Sequence, residues 1–303
     1  MSLLVSLIAA STLSFGPSCS SSQPTIAEIA QNDGRFQTLV AAVEAAGLTE
    51  ALQNSDEYTV FAPTDEAFSK LPEGTVETLL KPENKEVLKA VLLYHVVPGN
   101  LAAKNVLSSK NLMTANGQRL DVSMRKEGPT VDNARIILTD IKGSNGTIHA
   151  IDTVVLPSQS TIPEVAGKQG TFQTLLAAAK AANLVDALSA KGPITVFAPT
   201  DEAFAKLPAG TVEALLLPEN KDQLAAILTY HVIPGRVYSD AAINAGRAKT
   251  LQGNTAMIRK EGDKVFVNNS RIMATDIDAS NGVIHVIDTV MIPQMKTASA
   301  EAE

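Results

Sequence analysis

The sequence predicts two consecutive α+β units with β-sandwich cores, on three observations. Residues 59–72, TVFAPTDEAFSKLP, return 136 positions later as TVFAPTDEAFAKLP, differing only at Ser69 against Ala205. The same offset carries LLYHVVPG (92–99) onto LTYHVIPG (228–235), and NGTIHAIDTV (145–154) onto NGVIHVIDTV (281–290). Within each copy the hydrophobic pattern is helical in the first third and alternating in the last. A repeat of about 130 residues is the size of a domain and far longer than a solenoid repeat, so each copy should carry its own core.

In chain order, Phe36, Leu39, Val40, Val43, Ala46 and Leu48 recur at helical spacing and Gly47 closes the run; Phe172 to Leu184 repeats it. TVFA is a short buried strand that stops at Pro63. Thr64 then caps a new helix, with Asp65 and Glu66 in its positive first turn, and Thr200, Asp201 and Glu202 repeat this. Pro82 opens the helix PENKEVLKAVLLYH, which ends before Pro98-Gly99. RLDVSM, KVFVN, ILTDI and TIHAIDTVVL, with their partners, read as antiparallel strands joined by hairpins at SNG turns. RKEG at 125–128 matches RKEG at 259–262 only at an offset of 134, which predicts compensating two-residue changes in a loop or hairpin.

The expected organisation is a signal over residues 1–24, domains at 25–157 and 161–293, a linker at 158–160 and a disordered tail at 294–303. The run Leu3 to Phe15 is uncharged and apolar or small, too short for the ~20 residues of a spanning helix, and has a secretory profile. It lacks a basic stretch ahead of it, so either the true start is expected upstream, the favoured reading, or the signal is atypical. Cys19, the only cysteine, permits a lipoprotein reading in which its thiol is acylated; plain cleavage is the competing one. No intrachain disulfide can form.

Composition narrows the function classes. A chain that is 45% hydrophobic and 19% charged fills two cores, and its mean hydropathy of +0.09 argues against a polytopic membrane protein. A net charge of −7, no Trp and no basic cluster argue against nucleic acid as a partner. There is no GxSxG elbow, Walker loop, dinucleotide fingerprint, HExxH or CxxC, so neither enzyme activity nor a cofactor or metal is expected.

FAPTDEAF, then YHV-x-PG about thirty residues on, then NG-x-IH-x-ID-x-V near the unit's end, resemble the fasciclin-like domain. The resemblance covers both units over nearly their full length. It implies two tandem domains, each a wedge-shaped β-sandwich flanked by helices, exported, and acting in adhesion or matrix contact. It also implicates Tyr94-His95 and Tyr230-His231 as partner-binding candidates, because a tyrosine-histidine pair is tied to integrin binding in animal members. Read from the residues alone, each pair ends a helix, packing its ring on the sheet and satisfying the last carbonyls.

The remaining candidates read as structural. His149 and His285 lie in apolar strands, where a buried imidazole is ordinarily hydrogen-bonded to backbone. Asp65 and Glu66 are adjacent on a helix and point about 100° apart, which makes them a poor catalytic dyad. Asp152, Asp288, Asp140 and Asp276 are expected to hold turns through their own backbone contacts. The sequons at Asn145 and Asn268 carry little weight. The sequence reading is therefore an adhesion or interaction protein that binds a cell-surface or matrix protein or glycan, reaching a membrane only through a lipid on Cys19. The alternative is a carrier of a small apolar pigment or lipid.

Overall fold

A computed structural model describes residues 23–53, 57–190 and 192–293. Cys19 and nearly all of the expected signal, and the expected tail, lie outside the described residues.

The first unit opens with α1 (Ile26–Asn32), α2 (Gln37–Ala46) and α3 (Thr49–Gln53). α1 starts on a capping box in which the Thr25 hydroxyl accepts from the Glu28 N–H and Glu28 accepts from the Thr25 N–H. α2 ends at Gly47, whose φ of 70° is the left-handed cap the sequence required; Asn183 takes that conformation in the second unit. Strand β1 (Tyr58–Pro63) follows, then α4 (Asp65–Ser69), α5 (Thr75–Leu80), a 3₁₀ turn at Pro82–Asn84, and α6 (Lys85–Tyr94). The rest is β2 (Val96–Pro98), α7 (Ala103–Ser108), β3 (Asn111–Met113), β4 (Arg119–Arg125), β5 (Gly128–Val131), β6 (Ala134–Gly143) and β7 (Gly146–Ile151).

These strands form one sheet in the order β2-β1-β7-β6-β5-β4-β3. It is not wholly antiparallel, because β1 lies parallel to β7, with Phe61 opposite His149. The reason is burial on both faces, which gives each strand a continuous apolar run. Val60, Ala62, Ile148 and Ala150 face α1, α2 and α6 in one core. Phe61 and Ile151 face Tyr94, Leu120, Val131 and Ile136 in a second. β6 changes register twice, between Ile136 and Ile141, and so bends the sheet back on itself. The expected sandwich is thus a single folded sheet, nearly closed where the Ala115 N–H beside β3 reaches the Val96 carbonyl of β2 at 2.7 Å.

The second unit repeats every element: α8 (Ile162–Gln169), α9 (Gln173–Ala181), α10 (Val185–Ser189), β8 (Ile194–Pro199), α11 (Asp201–Ala205), α12 (Thr211–Leu215), a 3₁₀ turn at Pro218–Asn220, and α13 (Lys221–Tyr230). It continues with β9 (Val232–Pro234), α14 (Ser239–Ala245), β10 (Arg247–Lys249), β11 (Thr255–Glu261), β12 (Lys264–Val267), β13 (Ser270–Ala279) and β14 (Gly282–Ile287), in the same sheet order. The expected two-residue slip does not occur. Val122 pairs with Val131 and Ile258 with Val267, so the β4–β5 and β11–β12 hairpins keep the offset of 136. Both turn through two residues, Lys126-Glu127 and Gly262-Asp263, and the shared RKEG falls at different places in them.

Candidate functional site at the domain junction

The tyrosine-histidine pairs are interior. Tyr94 and His95 are 5% and 2% exposed, Tyr230 and His231 6% and 2%, so in this structure none offers a surface to a partner. The last turn of α6 runs beneath the folded sheet and carries the Tyr94 ring into the second core. His95 is the residue after that helix; its Nδ1–H donates to the Val91 carbonyl at 2.8 Å and its Nε2 accepts the Val155 N–H. His231 repeats this with Ile227 and Met291. Burial lowers both imidazoles from 6.5 to about 4, so both are neutral at pH 7.

His149 and His285 take the other tautomer. Nδ1 of His149 accepts the Asp140 N–H and Nε2–H donates to the Leu101 carbonyl at 3.0 Å; His285 does the same with Asp276 and Val237. Burial lowers both.

The aspartates hold other elements rather than their own turns. Thr64 and Thr200 cap α4 and α11, but the Asp65 carboxylate accepts the Thr38 and Gln37 N–H groups and so caps α2, as Asp201 caps α9. Asp152 accepts the Arg135 N–H at 2.9 Å, and Asp288 that of Arg271, tying the end of β7 to β6 and that of β14 to β13. Asp140 and Asp276 sit at left-handed bulges (φ 59° and 61°) and receive the Ala103 and Ser239 N–H groups at the starts of α7 and α14. Sequence reasoning saw Asn145 only as a sequon and passed over Asn281. Each is buried and pins two helices, Asn145 through the Ile26 N–H and the Leu52 carbonyl, so its sequon amide is already engaged.

Two apolar cavities, of about 130 and 90 Å³, lie between helices and sheet, the first lined by Ile26, Leu39, Val43, Leu52, Val60 and His95. A void of ~150 Å³ holds one benzene, and drug-sized ligands need ~300 Å³ or more. Both cavities are smaller than that as they stand.

The larger space is a cleft of about 690 Å³ between the units, walled by Met113, Asn116 and Gly117 on one side and Gly192, Arg236 and Tyr238 on the other. Its geometry is set by a polar clamp. The Arg119 guanidinium stacks 3.9 Å over the Tyr238 ring, and Nη2 lies 2.7 and 2.9 Å from the Asp240 carboxylate oxygens. Asp278 accepts from the Tyr238 hydroxyl at 2.8 Å, from Arg236 at 2.6 Å and from the Arg119 backbone N–H at 3.4 Å. Burial pushes the Asp278 carboxyl up against those favourable bonds; burial also raises Asp240, but Arg119 and the N–H groups of Ala241 and Asp240 together hold it below the usual range. From behind, the Tyr94 hydroxyl lies 2.9 Å from the Arg119 carbonyl, so the buried tyrosine supports the strand end that carries the clamp. Gln118 clasps the linker with two bonds to Ser158, one through its carbonyl and one through its N–H.

Among the described residues there is no group of three or more His, Cys, Asp or Glu able to hold a metal, and no helix is long and apolar enough to cross a membrane.

The Fasciclin domain model matches residues 34–157 and 170–293. Protein sll1483 of Synechocystis is 57% identical over 138 residues, covering 46% of this chain and 76% of its own length. Pig transforming growth factor-beta-induced protein ig-h3 is 33% identical over 272 residues, 90% of this chain, and human periostin 32% over 253 residues, 82% of this chain. The chain spans only 38% and 30% of those two animal proteins. A solved FAS1 domain pair from the insect cell adhesion molecule Fasciclin I aligns with 85% of this chain and 96% of its own, at 18% identity and a TM-score of 0.43. With two complete motif sets, two matched domains and one sheet topology repeated, this chain belongs to the fasciclin domain family.

Proposed function

We propose that this is an exported, secreted or surface-associated interaction protein without catalytic activity, which binds a cell-surface or matrix protein or glycan through the composite surface of its domain pair. The observation that carries this reading is the clamp at Arg119, which holds two domains in one relation around a cleft large enough to accept part of a partner. A cleft with walls from both units recognises only what both units can touch at once. Its lining mixes apolar surface with a few polar groups from Asn116, Arg236 and Tyr238, the make-up of a protein–protein interface. The secretory profile of Leu3 to Phe15 supports export, and a lipid on Cys19 would add attachment.

The test uses the tagged full chain on native envelope with crosslinking, beside a Tyr238→Ala variant that opens the clamp. Recovery of a defined component by the wild type, reduced in the variant, is the expected result. Equal recovery by both removes the cleft from the reading. A pigment or lipid copurifying at about one per domain would replace the reading with the carrier.

A further inference from the structure

The clamp is asymmetric at matching positions. In the second unit the receiving face is made by Arg236, Tyr238, Asp240 and Asp278; at the offset of 136 the first unit has Asn100, Ala102, Lys104 and Lys142. The backbone beneath the two faces is the same. Asp140 receives the Ala103 N–H at 2.9 Å and Asp276 the Ser239 N–H at 2.8 Å; Leu101 and Val237 are held by His149 and His285 at 3.0 and 2.9 Å. Lys142 pairs with Thr147 across its hairpin as Asp278 pairs with Val283.

Two aspartates that receive an arginine in one unit are thus two lysines in the other. Asn100, Ala102, Lys104 and Lys142 are all exposed. Asp140, the acid beside them, accepts the Ala103 N–H and keeps its single negative charge, which leaves the two lysines in excess. In a chain of net charge −7 this is a local inversion of sign at the one face whose counterpart already receives a protein loop, the turn that leads into Arg119.

We propose that the α7–β6 face of the first unit is a docking site for an acidic β-hairpin loop of a protein partner. The loop presents a carboxylate where the Asn116-to-Arg119 turn presents its guanidinium. Ala102 in place of Tyr238 leaves room for a bulkier side chain above the lysines. A protein loop is favoured over an anionic glycan because the backbone scaffold at the start of α7 is the same as the one that seats a hairpin turn in the second unit, and the two lysine ammonium groups can donate to loop carbonyls as Tyr238 does to that of Gly117. This deepens the interaction reading above and rests on it.

The probe is a cyclic peptide of residues 112–121 carrying Arg119→Glu, titrated into the full chain at low salt. Binding is expected, at least tenfold weaker for the Lys104→Glu/Lys142→Glu chain and unchanged for Lys180→Glu on α9, whose side chain lies outside this face. The parent peptide with arginine should bind at least tenfold more weakly than the probe. The idea is overturned by no binding, by equal binding to the double variant, or by binding of a sulfated polysaccharide that depends on the two lysines while the peptide does not bind. The envelope experiment judges the general reading separately, since its variant lies on the other unit.

Discussion

Lowering the pH from 7 to 5 tests the burial of His95. In the folded unit this imidazole protonates only at about 4, against 6.5 in an open chain, so between those values the unfolded state holds more protons. Stability is then complete above 6.5 and is lost as pH falls toward 4. At ~1.4 kcal/mol per unit, the cost is about 2 kcal/mol at pH 5 and about 3 kcal/mol at pH 4, against the ~5–15 kcal/mol that holds a typical domain. Native-state amide exchange on β1 and β7, corrected for intrinsic rates, reads the opening free energy of the first unit alone. His95→Asn keeps a donor near Nδ1 but loses the acceptor for the Val155 N–H, so it should be less stable at pH 7. Between pH 7 and 5 it should lose about 2 kcal/mol less than the wild type. Asp132 and Asp278, raised by burial, act in the opposite sense, and the comparison cancels them because both proteins contain them. Equal losses in wild type and variant would refute the assignment.

Arg119→Ala removes a cation–π contact and an ion pair to the exposed Asp240, and should lower the coupling between units by about 1–3 kcal/mol, splitting a shared calorimetric transition into two. If the wild type already melts in two steps that the variant leaves unmoved, the clamp contributes nothing. Asp65→Ala should cost the first unit about 0.5–2 kcal/mol by uncapping α2, measured by urea unfolding, with no change in the second unit. His149→Ala orphans the Leu101 carbonyl and should cost about 1–3 kcal/mol in the same assay; normal melting would show the contact to be dispensable. Gly146→Ala should prevent folding of the first unit, because a Cβ there would lie 1.9 Å from the Tyr58 carbonyl oxygen, and soluble native protein would contradict the strand spacing.

The sequence exposed the duplication, the order of helices and strands, and the capping threonines, because those follow from local periodicity and short-range hydrogen bonds. The parallel pairing of β1 with β7 was not legible: the partners lie more than eighty residues apart, and an apolar run on its own names no neighbour. Asp65 was placed correctly in a helix's first turn, yet its acceptor work is for α2, a contact across 27 residues that no motif announces. The junction left the faintest trace. Tyr238 and Asp278 stand where the first copy has Ala102 and Lys142, and such differences between otherwise matched repeats mark a surface under separate demands. The tyrosine-histidine pairs drew attention by their chemistry, whereas their packing is what the fold uses.

A head-to-tail contact between two copies of one fold is open by symmetry, since the donor loop of the second copy and the receiving face of the first stay available for further copies. Here both ends are blunted. The second unit has Thr255 where the first has Arg119, and the first has Ala102 and two lysines where the second has its aromatic platform and acids. A loop without the cation meets a face without the acids, so the clamp that joins the two domains has no counterpart between the second unit's loop and the first unit's face.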